Sequence, residues 1–315
     1  MVTAGPHEAP APADTDHRLA ARIVRRHLGE RPRRLQALGG GLNNEVYRAE
    51  LKGQEHVVVR LHSDPDKLAD YRKEDWAMDQ ARAAGVPTPR VLEIGLERDR
   101  PFMILEEARG ILATHWSDSA SVLRELGQYA ARIHRIRSHG FGRAIGSTGP
   151  GRQLWPRWAE FLDNELHVDE RLQLLESLHV LPDAGWQALQ ATLEQMRGWK
   201  RRPVLQHGDL RLKNVIVSPE DGRIVALLDW DNCLSAPPPY WDLAIALHDL
   251  GPDDKEAFLE GYGLSPPRFE RLAPVMRVLN LLNYAWAIQQ ALDAGERKRV
   301  AWLKARLRGV FDMAF

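Results

Sequence analysis

Apolar residues recur along this chain first at helical spacing, then at strand spacing, then almost wholly at helical spacing again. Leu19, Ile23, Val24 and Leu28 form one stripe, so Arg18 to Leu28 reads as a helix. Leu35 to Leu38, Glu45 to Leu51 and His56 to Leu61 read as strands. The loop Gly39-Gly40-Gly41-Leu42-Asn43-Asn44 and the turn Lys52-Gly53-Gln54 separate them. A helix over Asp70 to Ala84 ends at Gly85-Val86-Pro87-Thr88-Pro89, and Arg90 to Gly95 and Phe102 to Leu105 read as further strands. Glu106-Glu107-Ala108-Arg109-Gly110 then breaks the pattern. Beyond it the helical period dominates. Ser119 to Ile136 carries Leu123, Leu126, Ala130 and Ile133 on or near one face, with His134 expected as a satisfied core histidine. Trp158 to Leu178, Ala184 to Arg197, Tyr240 to Leu250, Asp254 to Tyr262, Pro267 to Ala291 and Glu296 to Phe311 follow as helices. One hairpin interrupts them: Val215-Ile216-Val217 and Ile224 to Leu228 flank the turn Ser218-Pro219-Glu220-Asp221-Gly222, and Val204-Leu205-Gln206 is a short apolar approach.

Composition narrows the class. With 315 residues and 44% hydrophobic content the chain can build one large or two small domains. Lys+Arg 43 and Asp+Glu 43 cancel, which leaves no electrostatic case for a nucleic-acid or membrane-surface partner. A single cysteine, Cys233, excludes an internal disulfide, suits a reducing compartment and reads as a packing residue. Residues 1–17 are rich in Ala and Pro without an apolar run and read as a disordered tail, not a signal peptide. The most apolar helix, Val275 to Ile288, is interrupted by Arg277, Asn280 and Asn283, so a core helix is expected there and not a membrane span. A cytoplasmic protein, monomer or homodimer, is the expectation.

The chemistry concentrates in His207-Gly208-Asp209-Leu210-Arg211-Leu212-Lys213-Asn214 and in Asp229-Trp230-Asp231. This order suits phosphoryl transfer: a carboxylate to orient a hydroxyl and take its proton, then an amide and a second carboxylate to hold Mg²⁺ against nucleotide phosphates. Magnesium takes hard oxygen ligands and usually only one or two protein carboxylates. A tight hairpin brings Asn214 and Asp229, at its two open ends, close together.

These segments resemble the catalytic loop of the aminoglycoside phosphotransferase and choline kinase branch of the protein-kinase-like enzymes. The resemblance covers about Leu35 to Ala291 and implies an α+β, two-lobed protein-kinase-like fold, with an antiparallel small lobe over 18–105 and a mainly helical large lobe over 106–315. It implies Asp209 as the base, Arg211 over the transferred phosphate, and Asn214 and Asp229 as Mg²⁺ ligands. For the co-substrate, ATP or GTP, it implies Gly40, Gly41, Asn43 and Asn44 over the phosphates. Arg60 stands on the third strand where most kinases place a phosphate-holding lysine, with Glu74 as its ion-pair partner. The carbonyl of Glu106 and the N–H of Ala108 are implied as adenine contacts. Arg60 departs from the lysine, and Asn43 stands where many relatives carry a serine. Asp242, in Tyr240-Trp241-Asp242-Leu243-Ala244, is expected to cap a helix bracing the loop.

The resemblance implies a small-molecule hydroxyl as the acceptor. Trp155-Pro156-Arg157-Trp158 with Glu160, Asp163, Glu165, Asp169 and Glu170, and the group Asp249, Asp253, Asp254, Glu256 and Glu260, offer acidic walls for an aminosugar; solvated faces are the competing reading. His139-Gly140-Phe141-Gly142, Trp158 with Phe161, and Val58-Val59-Arg60 are similar to the hygromycin B phosphotransferase subgroup. A metabolic kinase for choline, a sugar or homoserine stays open on the same fold, as does a non-catalytic nucleotide-binding pseudokinase.

Overall fold

The computed structural model describes residues 14–38, 45–52, 56–146, 153–248 and 250–309. Strands β1 (Arg34–Leu38), β2 (Glu45–Glu50), β3 (His56–Leu61), β4 (Val91–Glu97) and β5 (Arg100–Glu106) form one antiparallel sheet, ordered β1-β2-β3-β5-β4. Strand alternation sorts its side chains onto two faces. Tyr47, Ala49, Val57, Val59, Leu61, Phe102 and Ile104 pack with Leu19, Ala20, Ile23 and Val24 of helix α1 (Asp14–Leu28). Met103 and Leu105 point the other way and join the large core, which includes Tyr71 and Met78 of helix α2 (Lys67–Ala83). Arg48 and Arg60 therefore lie on the face away from α1. Helix α1 begins at Asp14, inside the segment expected as a tail, and residues 1–13 lie outside the described residues.

The rest is mainly helical: α3 (Ser119–Ile133), α4 (Trp158–Asn164), α5 (Val168–Ser177), α6 (Asp183–Arg197), α7 (Tyr240–Leu247), α8 (Pro252–Tyr262), α9 (Pro266–Asp293) and α10 (Arg297–Gly309). Asp118 caps α3 by accepting the Ser121 N–H at 3.1 Å. Helices α3 and α8 approach closely because each supplies a glycine: a Cβ on Gly127 would meet the Phe258 carbonyl at 2.2 Å, and one on Gly261 the Arg124 carbonyl at 1.9 Å. The expected single helix over Trp158 to Leu178 is broken. Leu166 turns into the core and His167 adopts φ 49°, so α4 and α5 are separate.

Short strands fasten the functional loops. β6 (Ile111–Leu112), β8 (Val215–Val217) and β9 (Ile224–Leu227) form one sheet, and β7 (Val204–Gln206) pairs with β10 (Leu234–Ala236). Strands of two or three residues carry no readable period, which is why β6 and β10 were not expected. The architecture is α+β with two lobes. Among the described residues no helix is long and apolar enough to cross a membrane.

Candidate active site

Strand β7 delivers the chain into His207, Gly208 and Asp209, all buried. Gly208 has φ +85°, and a Cβ there would sit 2.1 Å from the Asn232 carbonyl oxygen, so the sharp turn demands glycine. Asp242 holds this turn from behind: its carboxylate accepts the N–H of His207 at 2.9 Å, the N–H of Gly208 at 2.7 Å and His134 Nε2 at 3.0 Å. Its own N–H donates to Gln206 Oε1 at 3.0 Å. Burial opposes ionisation of Asp242, but the hydrogen bonds from His134 and the Gly208 N–H outweigh it and keep the carboxyl below its usual range. Asp242 thus braces the loop without capping its helix; Pro239 occupies the capping position of α7.

His207 is a support. Burial pushes its imidazole below the usual value, so it is neutral. Nε2 lies 3.1 Å from the Leu228 carbonyl and Nδ1 accepts the Asp209 N–H at 3.3 Å, which assigns the proton to Nε2.

Three side chains of the same loop surround the Asp209 carboxylate. Arg211 Nε stands 2.9 Å from Oδ1, Lys213 Nζ 2.8 Å from Oδ2, and Asn214 Nδ2 donates to Oδ2 at 2.9 Å. Burial would raise its pKa, but Arg211 and Lys213 prevail, so Asp209 is held ionised. Lys213 was not singled out in the sequence. Its position four residues after Asp209 was the available signal, and the short turn over Leu212–Asn214 brings it round.

The hairpin of β8 and β9 closes where the spacing of Asn214 and Asp229 requires: the Leu228 N–H donates to the Asn214 carbonyl at 2.8 Å. Asn214 spends its amide nitrogen on the Asp209 carboxylate and carbonyl, leaving Oδ1 free as a hard oxygen donor. Asp229 is exposed, has φ 63° and makes no hydrogen bond or ion pair among the described residues. One amide oxygen and one open carboxylate are the donor types that would suit Mg²⁺, which takes hard oxygen ligands. Cys233, after this turn, is fully buried; burial pushes its thiol up to about 12, so it packs and does not ligate.

Arg60 on β3 donates to Glu74 of α2 through both terminal nitrogens, Nη1 to Oε2 at 2.5 Å and Nη2 to Oε1 at 3.3 Å. Glu74 is only 1% exposed. Burial works against the Arg60 charge, but the Glu74 carboxylate outweighs it and keeps the guanidinium protonated. The same helix reaches Asp231: Lys67 Nζ stands 2.5 Å from Oδ1, and Lys73 Nζ donates to its carbonyl at 2.5 Å.

At the break after β5, a groove of about 410 Å³ is lined by Arg48, His56, Glu107, Ala108, Arg109 and Gly110. Arg48 Nε bonds Glu107 Oε1 at 2.5 Å across it. The Glu106 N–H is taken by the Arg90 carbonyl at 2.9 Å, whereas the Ala108 N–H donates to no described residue. Gly40, Gly41, Asn43 and Asn44 lie outside the described residues.

The acidic groups considered for the acceptor are largely engaged elsewhere. Glu160 pairs with Arg157, Asp163 and Asp169 share Arg197, and Glu260 pairs with Arg124. Glu165 binds the Trp155 indole N–H at 3.0 Å and the Arg143 N–H at 3.0 Å. Asp254 accepts the Ser119 hydroxyl at 2.8 Å, and Trp158 is buried against Phe141 and Phe161. Asp249 lies outside the described residues.

With this geometry in place, relatives can be compared. Residues 34–275 match the model of the "Phosphotransferase enzyme family". An aminoglycoside 3'-phosphotransferase of Streptomyces ribosidificus is 30% identical over 234 residues, covering 70% of this chain and 80% of the relative. Two solved structures share the fold. A thermostable mutant of aminoglycoside phosphotransferase APH(4)-Ia, in ternary complex with AMP-PNP and hygromycin B, has a TM-score of 0.69 at 20% identity and covers 92% of this chain and 96% of that one. A putative fructosamine-3-kinase from Haemophilus somnus has a TM-score of 0.62 at 17% identity, covering 92% and 96%. The two-lobed architecture is thus the kinase-like fold of such enzymes.

Proposed function

We propose that this chain, which belongs to the phosphotransferase enzyme family, transfers the γ-phosphate of ATP or GTP to a hydroxyl of an aminoglycoside-like antibiotic or related small molecule. One observation carries the reading. An ionised Asp209 stands between Arg211 and Lys213, and Asn214, which anchors it, is joined through its carbonyl to Leu228, the residue before the exposed Asp229. A scaffold has no need of an open carboxylate there.

In this reading adenine or guanine occupies the groove beside Ala108, with Glu106 and Ala108 offering main-chain groups, and Gly40, Gly41, Asn43 and Asn44 cover the phosphates. Arg60, kept charged by Glu74, holds the α- and β-phosphates. Asn214 and Asp229 hold Mg²⁺, which when bound neutralises charge on the β- and γ-phosphates. The acceptor oxygen forms a bond to the γ-phosphorus as the bond to the bridging oxygen breaks, and the hydroxyl proton passes to Asp209. Arg211 moves from the Asp209 carboxylate to the migrating phosphoryl group. The transition state is loose, so the residues contribute mainly position and charge. The lone buried cysteine suits a cytoplasmic enzyme.

A metabolic kinase is the second reading, and a specific observation favours it. Arg143 donates to the Asn232 carbonyl at 3.4 Å, the oxygen against which Gly208 packs, and Arg171 donates to the Leu282 carbonyl at 3.1 Å. Neither has an ion-pair partner among the described residues. Burial, then the charge of Arg143, pushes Arg171 down to about 10. Two neighbouring cations without ion pairs, one of them on the Asn232 carbonyl that packs against the catalytic loop, suit an acceptor bearing a carboxylate and disfavour choline.

The deciding experiment incubates the enzyme with ATP or GTP, Mg²⁺ and a panel of aminoglycosides, sugars and hydroxy amino acids, read by mass spectrometry. Phosphate gained by an aminoglycoside supports the first reading. Gain confined to a hydroxy acid or sugar supports the second, and no nucleotide-dependent thermal shift with Mg²⁺ rejects both.

A further inference from the structure

Beside strand β7, which leads into the catalytic loop, lies a groove of about 550 Å³ lined by His134, Arg135, Arg137, Arg201, Arg202, Pro203, Val204 and Pro238. The main chain forces its cations together. Arg137 bridges antiparallel to Val204, Leu205 N–H donates to the Ile136 carbonyl at 2.9 Å, and Ser138 N–H donates to the Pro203 carbonyl at 3.4 Å. These bonds lay the segment after α3 against the edge of β7, so Arg135 and Arg137 face the same space as Arg201 and Arg202. The Arg201 guanidinium is stacked 4.7 Å from the Trp199 ring centroid and 5.3 Å from that of Tyr240, which fixes its plane.

Among the described residues no carboxylate answers this charge. Arg135, Arg137, Arg201 and Arg202 form no ion pair among the described residues, in a chain whose formal net charge is +0. Elsewhere arginine is commonly matched, as at Arg60, Arg124, Arg157 and Arg197. Like charges gathered with no counter-charge repel, and guanidinium forks match phosphate oxygens in pairs. A volume of this size holds a chain of several phosphates and exceeds what one small ion fills. Overall neutrality gives no long-range pull on a nucleic-acid duplex.

We propose that this groove is a second ligand site, which binds a polyphosphate chain through Arg135, Arg137, Arg201 and Arg202. The wall residue His134 also donates to Asp242, the carboxylate that holds His207 and Gly208, so an occupant of the groove lies one residue away from the support of the catalytic loop. The chain of phosphates is available either as inorganic polyphosphate or as the tail of a nucleotide, and the two are separable.

The test is calorimetric titration of the full chain with sodium tripolyphosphate and, separately, ATP without metal, alongside NMR of the His134 imidazole. Arg135 and Arg202 are exposed, so the Arg135→Ala/Arg202→Ala variant keeps its fold. The variant is expected to bind tripolyphosphate about tenfold or more weakly than the wild type, with the ligand-induced shift of the His134 resonances lost. Tripolyphosphate alone producing the shift supports recognition of the phosphate chain; ATP producing it where tripolyphosphate does not overturns the proposal. Equal binding by variant and wild type overturns it too, as does displacement by sulfate at matched ionic strength or by duplex DNA at equal phosphate.

Discussion

Lys67 Nζ lies 2.5 Å from Asp231 Oδ1, joining the first turn of α2 to the turn that follows Asp229. Burial opposes the Asp231 charge, but Lys67 outweighs it and keeps the carboxyl below its usual range. Lys73, one residue before Glu74, grips the Asp231 carbonyl. The helix that presents Glu74 to Arg60 is thereby tied to the hairpin end that presents Asp229. Arg60 of the small lobe and Asp229 of the large lobe are held in one register, which their proposed roles toward phosphate and metal would need.

Cutting that tie is expected to act on nucleotide binding. Asp231→Asn should raise the nucleotide KM on the order of tenfold, about 1.4 kcal/mol, with a smaller change in kcat and little in the acceptor KM. Steady-state kinetics in both substrates checks this. An unchanged nucleotide KM would remove Asp231 from the positioning role.

Arg60→Met strands the Glu74 carboxylate in the core and should destabilise the protein by about 3–5 kcal/mol in denaturant unfolding. The Arg60→Met/Glu74→Leu variant should recover most of that loss while the nucleotide KM stays high. Recovery of both together would mean that Arg60 serves only the fold.

Asp209→Asn keeps the shape of the loop and removes the proton acceptor. Turnover should fall about 10²–10⁴-fold, with nucleotide affinity nearly unchanged. Single-turnover kinetics with a nucleotide-binding titration separates the two effects, and wild-type turnover would exclude Asp209 as the base.

Asp229 is exposed and left-handed, a conformation asparagine tolerates. Asp229→Asn should therefore leave the melting temperature nearly unchanged while the Mg²⁺ concentration for half-maximal activity rises sharply. A magnesium titration with wild-type behaviour would rule out Asp229 as a ligand.

Acid should destabilise the fold through two histidines. His207 is depressed by burial, and His248 is depressed to about 4, by burial first and then by Arg306 and Arg211. Each is neutral when folded and takes up a proton near its usual value, about 6.5, when unfolded. Between about pH 6.5 and the folded values the unfolded state binds more protons, so stability falls as pH falls through that window. Melting temperatures from pH 7 to 4 should drop, and His248→Gln should flatten part of the slope. An identical slope in that variant would show that His248 does not contribute.

Much of the site could be read from the chain because it is built locally. Asp209, Arg211 and Asn214 lie within one short loop, and the hairpin that relates Asn214 to Asp229 follows from two apolar runs around a Ser-Pro-Glu-Asp-Gly turn. The run His56 to Leu61 likewise put Arg60 on the third strand, and the packing of α1 on one face of the sheet left it on the other. Spacing and period report which side of an element is buried and which residues a turn brings together.

Other relationships depended on which element packs against which. Lys67 and Asp231 are 164 positions apart, and Asp242 meets His207 across 35. The carboxylates at 163 and 169 suggested an acidic wall until Arg197 was placed between them, and the helix expected through them broke at His167. The four groove arginines come from two unlike segments joined by backbone pairing around Arg137 and Val204. By itself the sequence determined the local chemistry, since a few bonds of chain restrict where neighbours can go. Only the tertiary structure decided the partners of each charge, because close packing brings distant segments within ångströms of one another and periodicity within an element carries no record of what lies opposite.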